Sequence, residues 1–473
     1  MIPQILRVVF ILIEVVVLFN LLIIVHELGH FLAARWRGLF VEGFGVWFGK
    51  PIWKKTINGV QYSLGSIPFG GFVKLPQLAP MDIIEGTADV DRERLPAISA
   101  LDKIIVAIAG PVFSLLLALA FACVVWAVGH PTNESDITTV IGYVPANSTA
   151  AKAGLMAGDK ILEVDNQPVL KFSGLTDSVV WNVVRSEGDT IQFKVDRGGQ
   201  ILNFNVEPFK AETRGWRRKS VRQVLISPAQ TPIVDTVIAD SPAAAAGLRH
   251  RDVVRGFNGT VIYSPAAVGD FVEKHPNEAI TLQVLRDGQF LEPTLQPKIL
   301  DPGKDTTPRL GIWWDAEGRM SIVHPSPIEQ VYKSITGTLN TLSAVASPKS
   351  DVKLQHMSGP VGIARVYYML FQSERGWQLA LWFSVILNVN LAILNMLPIP
   401  VLDGGHIVLA IIESIRRKPV NIRILEFVQT GCAVLIIGYM AYVSFFDIGD
   451  WFGRDSSGEK PKPAAVEPSP AAP

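Results

Sequence analysis

His26, Glu27 and His30 form the pattern His-Glu-x-x-His at the end of an apolar run that begins near Ile5. On a helix, residues four apart share a face, so both imidazoles can direct a nitrogen at one Zn²⁺ ion. Glu27, one step round, is placed to take a proton from an attacking water. The pattern supplies two metal ligands and a general base. On a solvated surface helix the same residues would carry no chemistry. Here the nearly unbroken apolar stretch Val15 to Val25 leads straight into them, and ionisable groups at membrane depth are costly enough to mark a functional site.

A catalytic zinc takes three protein ligands and keeps one position open, so a third ligand must come from elsewhere. The segment Asn395-Met-Leu-Pro398-Ile-Pro400-Val-Leu-Asp403-Gly404-Gly405-His406 follows a later apolar run. Its prolines break the helix and its glycines let backbone approach closely. Asp403 is the carboxylate best placed to ligate. Alone it would be read as a helix-capping aspartate, and pairing with the first motif favours ligation. His406 is the competing donor and is expected to stand behind the ligands. The expected cofactor is one Zn²⁺ per chain.

The elements that must hold these residues are membrane spans. The 473-residue chain has a formal net charge of zero, which gives no sign of a nucleic-acid partner. Four segments are long and apolar enough to cross a bilayer, about Ile5 to Val25, Ile104 to Val128, Leu379 to Leu397 and Val428 to Phe446. The first lacks a small-residue cleavage site and is expected to be retained. Glu14 within it is assigned no catalytic role. Arg35, Arg37, Lys50, Lys54 and Lys55 follow the first span, and Arg416, Arg417, Lys418 and Arg423 separate the last two, so both loops are expected in the cytoplasm. The large central region then lies outside, with both chain ends. The tail 452–473, rich in Pro, Ala and charge, is expected to be disordered. Cys123 and Cys432 both fall in spans, so no disulfide framework is expected.

The central region repeats. Asn147-Ser-Thr-Ala-Ala-Lys-Ala-Gly-Leu recurs 93 residues on as Asp240-Ser-Pro-Ala-Ala-Ala-Ala-Gly-Leu, and each copy continues to an aspartate, Asp159 or Asp252. Each predicts a short helix capped near Ser148 or Ser241, a turn at Gly154 or Gly247, a strand, and a tight turn at Asp165-Asn166 or Asn258-Gly259. This pattern resembles PDZ domains in the circularly permuted arrangement of bacterial envelope proteases. The resemblance implies grooves that take peptide ends by strand addition, with spacers lacking ligands as the alternative. The second copy departs at Arg251, where the first has Gly158.

In the first loop, the alternation Val60-Gln-Tyr62-Ser-Leu64 and the glycine turn Gly70-Gly71 predict a hairpin dipping towards the membrane. The Val60 to Leu64 edge is the expected site for an extended substrate, with a hairpin that makes no substrate contact as the alternative. Ile328, Val331, Ile335, Leu339 and Leu342 recur at helical spacing and predict a surface helix against the membrane or the repeated domains.

Taken together, the His-Glu-x-x-His motif and Asn395-x-x-Pro398-x-Pro400-x-Leu402-Asp403-Gly404 resemble the site-2 protease family of intramembrane zinc metalloproteases. Ile67-Pro-Phe-Gly-Gly-Phe-Val-Lys74, Ala109-Gly-Pro111 and Ser358-Gly-Pro-Val-Gly-Ile363 extend the likeness along the chain. Ser114 stands where the family usually has asparagine. The resemblance implies that His26, His30 and Asp403 hold zinc, that Glu27 is the general base, and that Asn395, with Pro398 and Pro400, helps position the substrate backbone. It also implies a multi-pass protein of the bacterial inner membrane, with its active site on the cytoplasmic side and PDZ domains in the periplasm. The implied partners are the lipid bilayer, a single-span substrate such as an anti-sigma factor, and an upstream site-1 protease that cuts first. Signal-peptide remnants are a further implied substrate.

The expected fold class is a polytopic α-helical membrane protein with two β-rich PDZ-like domains between helices two and three. Its expected segments are a first helix at 1–34, a loop with a membrane-associated hairpin at 35–103, and a second helix at 104–128. PDZ-like domains follow at 135–220 and 221–312, and amphipathic connecting helices at 324–375. The third helix with its Leu-Asp-Gly motif occupies 377–406, a loop 407–427, and the fourth helix 428–446. The rival readings are a PDZ scaffold or chaperone with a vestigial metal site, and a metal-dependent transporter.

Overall fold

The computed structural model describes residues 2–78, 95–96, 98–213, 218–301, 307–418 and 420–452. The expected disordered tail beyond Phe452 lies outside the described residues. The chain forms two compact units, residues 1–130 with 323–340 and 355–451, and residues 131–322 with 341–354 and 452–473.

In the first unit, helix α1 (Ile2–Trp36) is followed by strands β1 (Gly43–Phe48), β2 (Trp53–Ile57), β3 (Val60–Leu64) and β4 (Ile67–Lys74), then helix α2 (Ala100–Val128). After residue 322 come α3 (Pro327–Ala346), α4 (Pro360–Gln372), α5 (Gly376–Asn395), α6 (Asp403–Arg416) and α7 (Ile422–Phe452). Among the described residues, four helices are long and apolar enough to cross a membrane: Ile5–Trp36, Ala100–Val128, Gly376–Asn395 and Arg423–Asp450. At 1.5 Å per residue, even the 20-residue α5 spans about 30 Å, the thickness of a hydrocarbon core.

Glycine lets α1 and α2 approach closely. A Cβ at Gly29 would lie 2.4 Å from the Ala109 carbonyl oxygen, a distance no side chain tolerates. The strand order is β2-β3-β1-β4, with β1 parallel to β3 and antiparallel to β4. Asn58 and Gly59 both have positive φ, as the two-residue turn between β2 and β3 requires. Val60 and Val73 are buried with Ala33, Ala34, Leu39 and Val106, so the sheet packs on the ends of α1 and α2 nearest the loop.

This order corrects one expectation. The edge expected at Val60 to Leu64 is not free, because β3 pairs with β1 on one side and β2 on the other. Among the described residues, the free edges belong to β2 and β4.

Helix α3 forms where the apolar spacing predicts, and part of its stripe turns inward. Val331 and Ile335 pack against a buried cluster of Ala118, Ala122, Val385 and Val389 on α2 and α5, and Gln330 donates to the Ala122 carbonyl at 3.0 Å. Its apolar stripe is therefore divided, with Ile328 and Leu339 exposed. The Ser358 to Ile363 motif forms the start of α4. There the Asp447 carboxylate of α7 accepts from the backbone N–H groups of Gly359 (2.9 Å) and Gly362 (3.0 Å). Gly362 makes room for it, since a Cβ there would lie 2.8 Å from the carboxylate.

The second unit folds as its repeat predicts. Ser148 Oγ accepts from Ala151 N–H and Ser241 Oγ from Ala244 N–H, capping helices Thr149–Ala153 and Pro242–Ala245. Strands Lys160–Val164 and Val253–Phe257 follow, each ending in a turn whose two residues have positive φ, Asp165-Asn166 and Asn258-Gly259. Arg251 adopts φ 69°, in the left-handed region that Gly158 occupies at 93°, so the departure in the second copy leaves the turn unchanged. Each copy closes around its own apolar core, one including Ile141, Ile161, Ile191 and Phe193, the other Val234, Val254, Ile280 and Leu282.

Candidate metal centre

His26 and His30 lie one turn apart on α1, where the apolar run ends and the sheet begins. Their rings meet edge to face, with centroids 4.9 Å apart and the two Nε2 atoms 3.3 Å apart. Asp403 reaches them from the first turn of α6. Its Oδ2 is 3.2 Å from His26 Nε2 and its Oδ1 3.3 Å from His30 Nε2. Among the described residues these three form a group whose ligand atoms lie within 4.8 Å of one another. His406 is not part of it.

The sequence between α5 and α6 shows how Asp403 gets there. Helix α5 stops at Asn395, and the backbone folds back over residues 396–402 so closely that no side chain fits at positions 404 and 405. A Cβ at Gly404 would lie 2.3 Å from the Met396 carbonyl oxygen, and one at Gly405 2.2 Å from that of Ile399. The glycines of the Leu-Asp-Gly-Gly run are therefore packing requirements that set the start of α6, and with it the Asp403 carboxylate. Pro400 offers its carbonyl to Gln429 of α7 at 3.3 Å, and Pro398 is exposed. Asn395 places its amide nitrogen 3.0 Å from His26 Nε2.

The donor set fits zinc. Ligand bonds of about 2.0–2.1 Å in a tetrahedron separate the donor atoms by roughly 3.3 Å, and the two Nε2 atoms and the carboxylate oxygens are 3.2–3.3 Å apart. Among the described residues, no hydrogen-bond donor satisfies the buried Asp403 Oδ2, a position that a cation satisfies. Two imidazoles and one carboxylate also suit zinc better than the all-oxygen cages of calcium or magnesium.

Glu27 is half-buried beside this group, facing β4. A Cβ at Gly71 would lie 3.4 Å from its side chain. Gly70 (φ 89°) is the conformationally special member of the pair, and it lies under the Phe48 ring. Gly70 and Gly71, expected as a hairpin turn, instead lie inside the edge strand β4 next to the candidate centre, whereas Val60, Tyr62 and Leu64 lie inside the sheet. Asn20, one and a half turns before His26, donates to the Pro68 carbonyl at 3.1 Å and ties β4 to α1. The sequence reading missed Asn20. The signal was available, since a lone amide inside an apolar span needs a partner.

A model of peptidase family M50 matches residues 14–438. The chain belongs to that family. It is a zinc metalloprotease, and its four membrane-length apolar helices, with its relatives, support a multi-pass inner-membrane protein. Among its relatives, the regulator of sigma-E protease RseP of Salmonella typhimurium is 28% identical over 468 residues, covering 91% of this chain and 97% of its own length. RseP of Escherichia coli is 28% identical over 466 residues with the same coverage. A Vibrio cholerae relative named as a zinc metalloprotease is 28% identical over 456 residues, again covering 91% and 97%. Among solved structures, the PDZ domain of an SdrC-like protein from Listeria monocytogenes matches 19% of this chain and 90% of its own length, at 18% identity. Its TM-score of 0.17 gives the match no weight for the fold.

Proposed function

We propose that this M50 peptidase cuts single-span membrane proteins within or beside the bilayer, with His26, His30 and Asp403 holding one zinc and Glu27 acting as general base. The observation that carries this reading is the convergence of the three ligand atoms beside Glu27 at the end of a membrane-length helix. Zinc bound there supplies Lewis acidity to the scissile carbonyl and acidifies water. Glu27 takes the proton from the attacking water and passes it to the leaving amine. Asn395, whose amide lies at the centre, holds the substrate backbone, with Pro398 and Pro400 shaping the loop around it.

A helical substrate hides its carbonyls in its own hydrogen bonds, so it must unwind before it is cut. The free edge of β4, at Gly70 and Gly71 beside Glu27, offers a strand for the unwound segment to join. The substrate class proposed is an anti-sigma factor already trimmed by a site-1 protease, a reading supported by relatives named as regulators of sigma-E protease. Signal-peptide remnants are a second substrate class. The basic loops support a metal centre on the cytoplasmic side. The two PDZ-like domains, residues 135–220 and 221–312, then face the periplasm and exclude bulky outer domains.

The test is a cleavage assay on a model transmembrane peptide, paired with zinc analysis. Glu27→Gln is expected to retain one zinc per chain and lose cleavage, whereas His26→Ala and Asp403→Ala lose both. Turnover by the Glu27→Gln protein would remove Glu27 as the base, and full zinc in both ligand variants would overturn the ligand set.

A further inference from the structure

Each imidazole of the cluster has a second nitrogen, and both second nitrogens are held by one stripe of α2. Val106, Gly110 and Ser114 follow at steps of four residues and so share a helix face. His30 Nδ1 lies 2.8 Å from the Val106 carbonyl oxygen, and His26 Nδ1 lies 3.0 Å from Ser114 Oγ. Gly110 sits between these anchor points. A Cβ there would lie 2.2 Å from His30 Nε2 and 2.8 Å from His26 Nε2, so the rings occupy the space a side chain would need.

The partners dictate where the ring protons sit. A carbonyl oxygen only accepts, so His30 carries a proton on Nδ1, and in the neutral ring this leaves the Nε2 lone pair free. A hydroxyl accepts or donates, and the other side of the His26 ring decides which. His26 Nε2 lies 3.0 Å from the Asn395 amide nitrogen, which only donates, and 3.2 Å from Asp403 Oδ2, which only accepts; as a metal ligand this nitrogen keeps its lone pair, which puts the ring proton on Nδ1, donated to Ser114 Oγ. Ser114 is fully buried, which shields this bond from competing water.

We propose that Ser114 is a positioning residue: with the Val106 carbonyl and the gap at Gly110, it fixes the tautomer and ring orientation of His26 before any metal binds. It acts through His26. The inference rests on the reading of His26 and His30 as metal ligands. Partners of this kind are generally worth about 10–100-fold in metal affinity.

The test uses the full-length protein in lipid nanodiscs and two readouts besides activity. Zinc affinity is measured by competition with a chromophoric chelator, and the histidine tautomers of the metal-free protein by nitrogen-15 NMR. Ser114→Ala is expected to bind zinc roughly 10–100-fold more weakly and to change the His26 nitrogen signals while those of His30 stay put. Ser114→Thr, which keeps the hydroxyl, is expected to restore both. Wild-type affinity together with an unchanged His26 tautomer in Ser114→Ala would overturn the proposal, as would a wild-type protein whose His26 proton is on Nε2. A wild-type protein whose zinc affinity does not depend on His26 would refute the ligand reading itself, and this proposal with it.

Discussion

At the scale of single residues, the candidate centre depends as much on what is missing as on what is present. Gly110 faces the Nε2 atoms that converge with Asp403, and even one methyl group would lie 2.2 Å from a ring nitrogen. Gly110→Ala is therefore expected to displace the imidazoles, with loss of zinc from the purified protein. Its helical content, read by circular dichroism, should remain near wild type, since alanine favours the helix over glycine by up to about 1 kcal/mol. A Gly110→Ala protein that kept its zinc would show that the rings have room the geometry denies them. The same reasoning explains why Asp403 could not be assigned from its own neighbourhood. The N-cap of α6 is Leu402, and Asp403 stands in the first turn, where any acidic residue favoured by the helix dipole stands, so only its distance to two histidines distinguishes it.

At the scale of elements, the informative feature is which strand has a free edge. Reading β3 as the edge failed because alternation in sequence reports a strand and its buried face, not the neighbours to which it is bonded. Val60 is 3% exposed because its face of the sheet packs on Ala33, Ala34 and Val106, and Val73 on the edge strand β4 is buried on the same face. Strand β4 is an edge, is tied to α1 through Asn20, and carries Gly71 next to Glu27. A photo-crosslinking amino acid at Phe69 on β4 is expected to capture a helix-destabilised substrate held on Glu27→Gln enzyme, and the same probe at Trp53 on the opposite edge is not. Capture at Trp53 alone would move the substrate to β2, and capture at neither would end the strand-addition model. Glycine or proline introduced near the scissile bond should also speed cleavage by wild-type enzyme, because the substrate then unwinds at lower cost.

At the scale of the whole molecule, the arrangement of charge along the chain sets the proposed orientation. In a background with Cys123 and Cys432 replaced, a cysteine at Asn166 is expected to react with a membrane-impermeant maleimide added to intact cells, and one at Lys418 only after lysis. Both positions are exposed, so failure to react cannot be blamed on burial. The opposite pattern would invert the topology. Deleting residues 135–310 should allow cleavage of substrates that retain folded outer domains, and unchanged selectivity would reduce the two domains to spacers.

The sequence by itself determined the local features. Apolar runs specify spans because a bilayer core accepts only helices with satisfied backbones. The repeat, its serine caps and its positive-φ turns were legible because capping and turn chemistry are decided within a few residues. Long-range pairings were not legible. Within the repeat, Asp159 and Asp252 stood out, but their partners did not. Arg197 and Arg286 each grip the aspartate through two nitrogens at 2.6–2.7 Å and also donate to a glycine carbonyl, of Gly154 or Gly247. Those arginines lie 38 and 34 residues away, across a sheet whose register the sequence does not state. The same holds at the centre, where Ser114 reaches His26 across 88 residues and Asn395 across 369. Only the packing of α1 against α2, through Gly29 and Gly110, and the glycine-bound return into α6 decided that these groups share one site, because contacts between distant segments follow from shape and close packing rather than from any pattern along the chain.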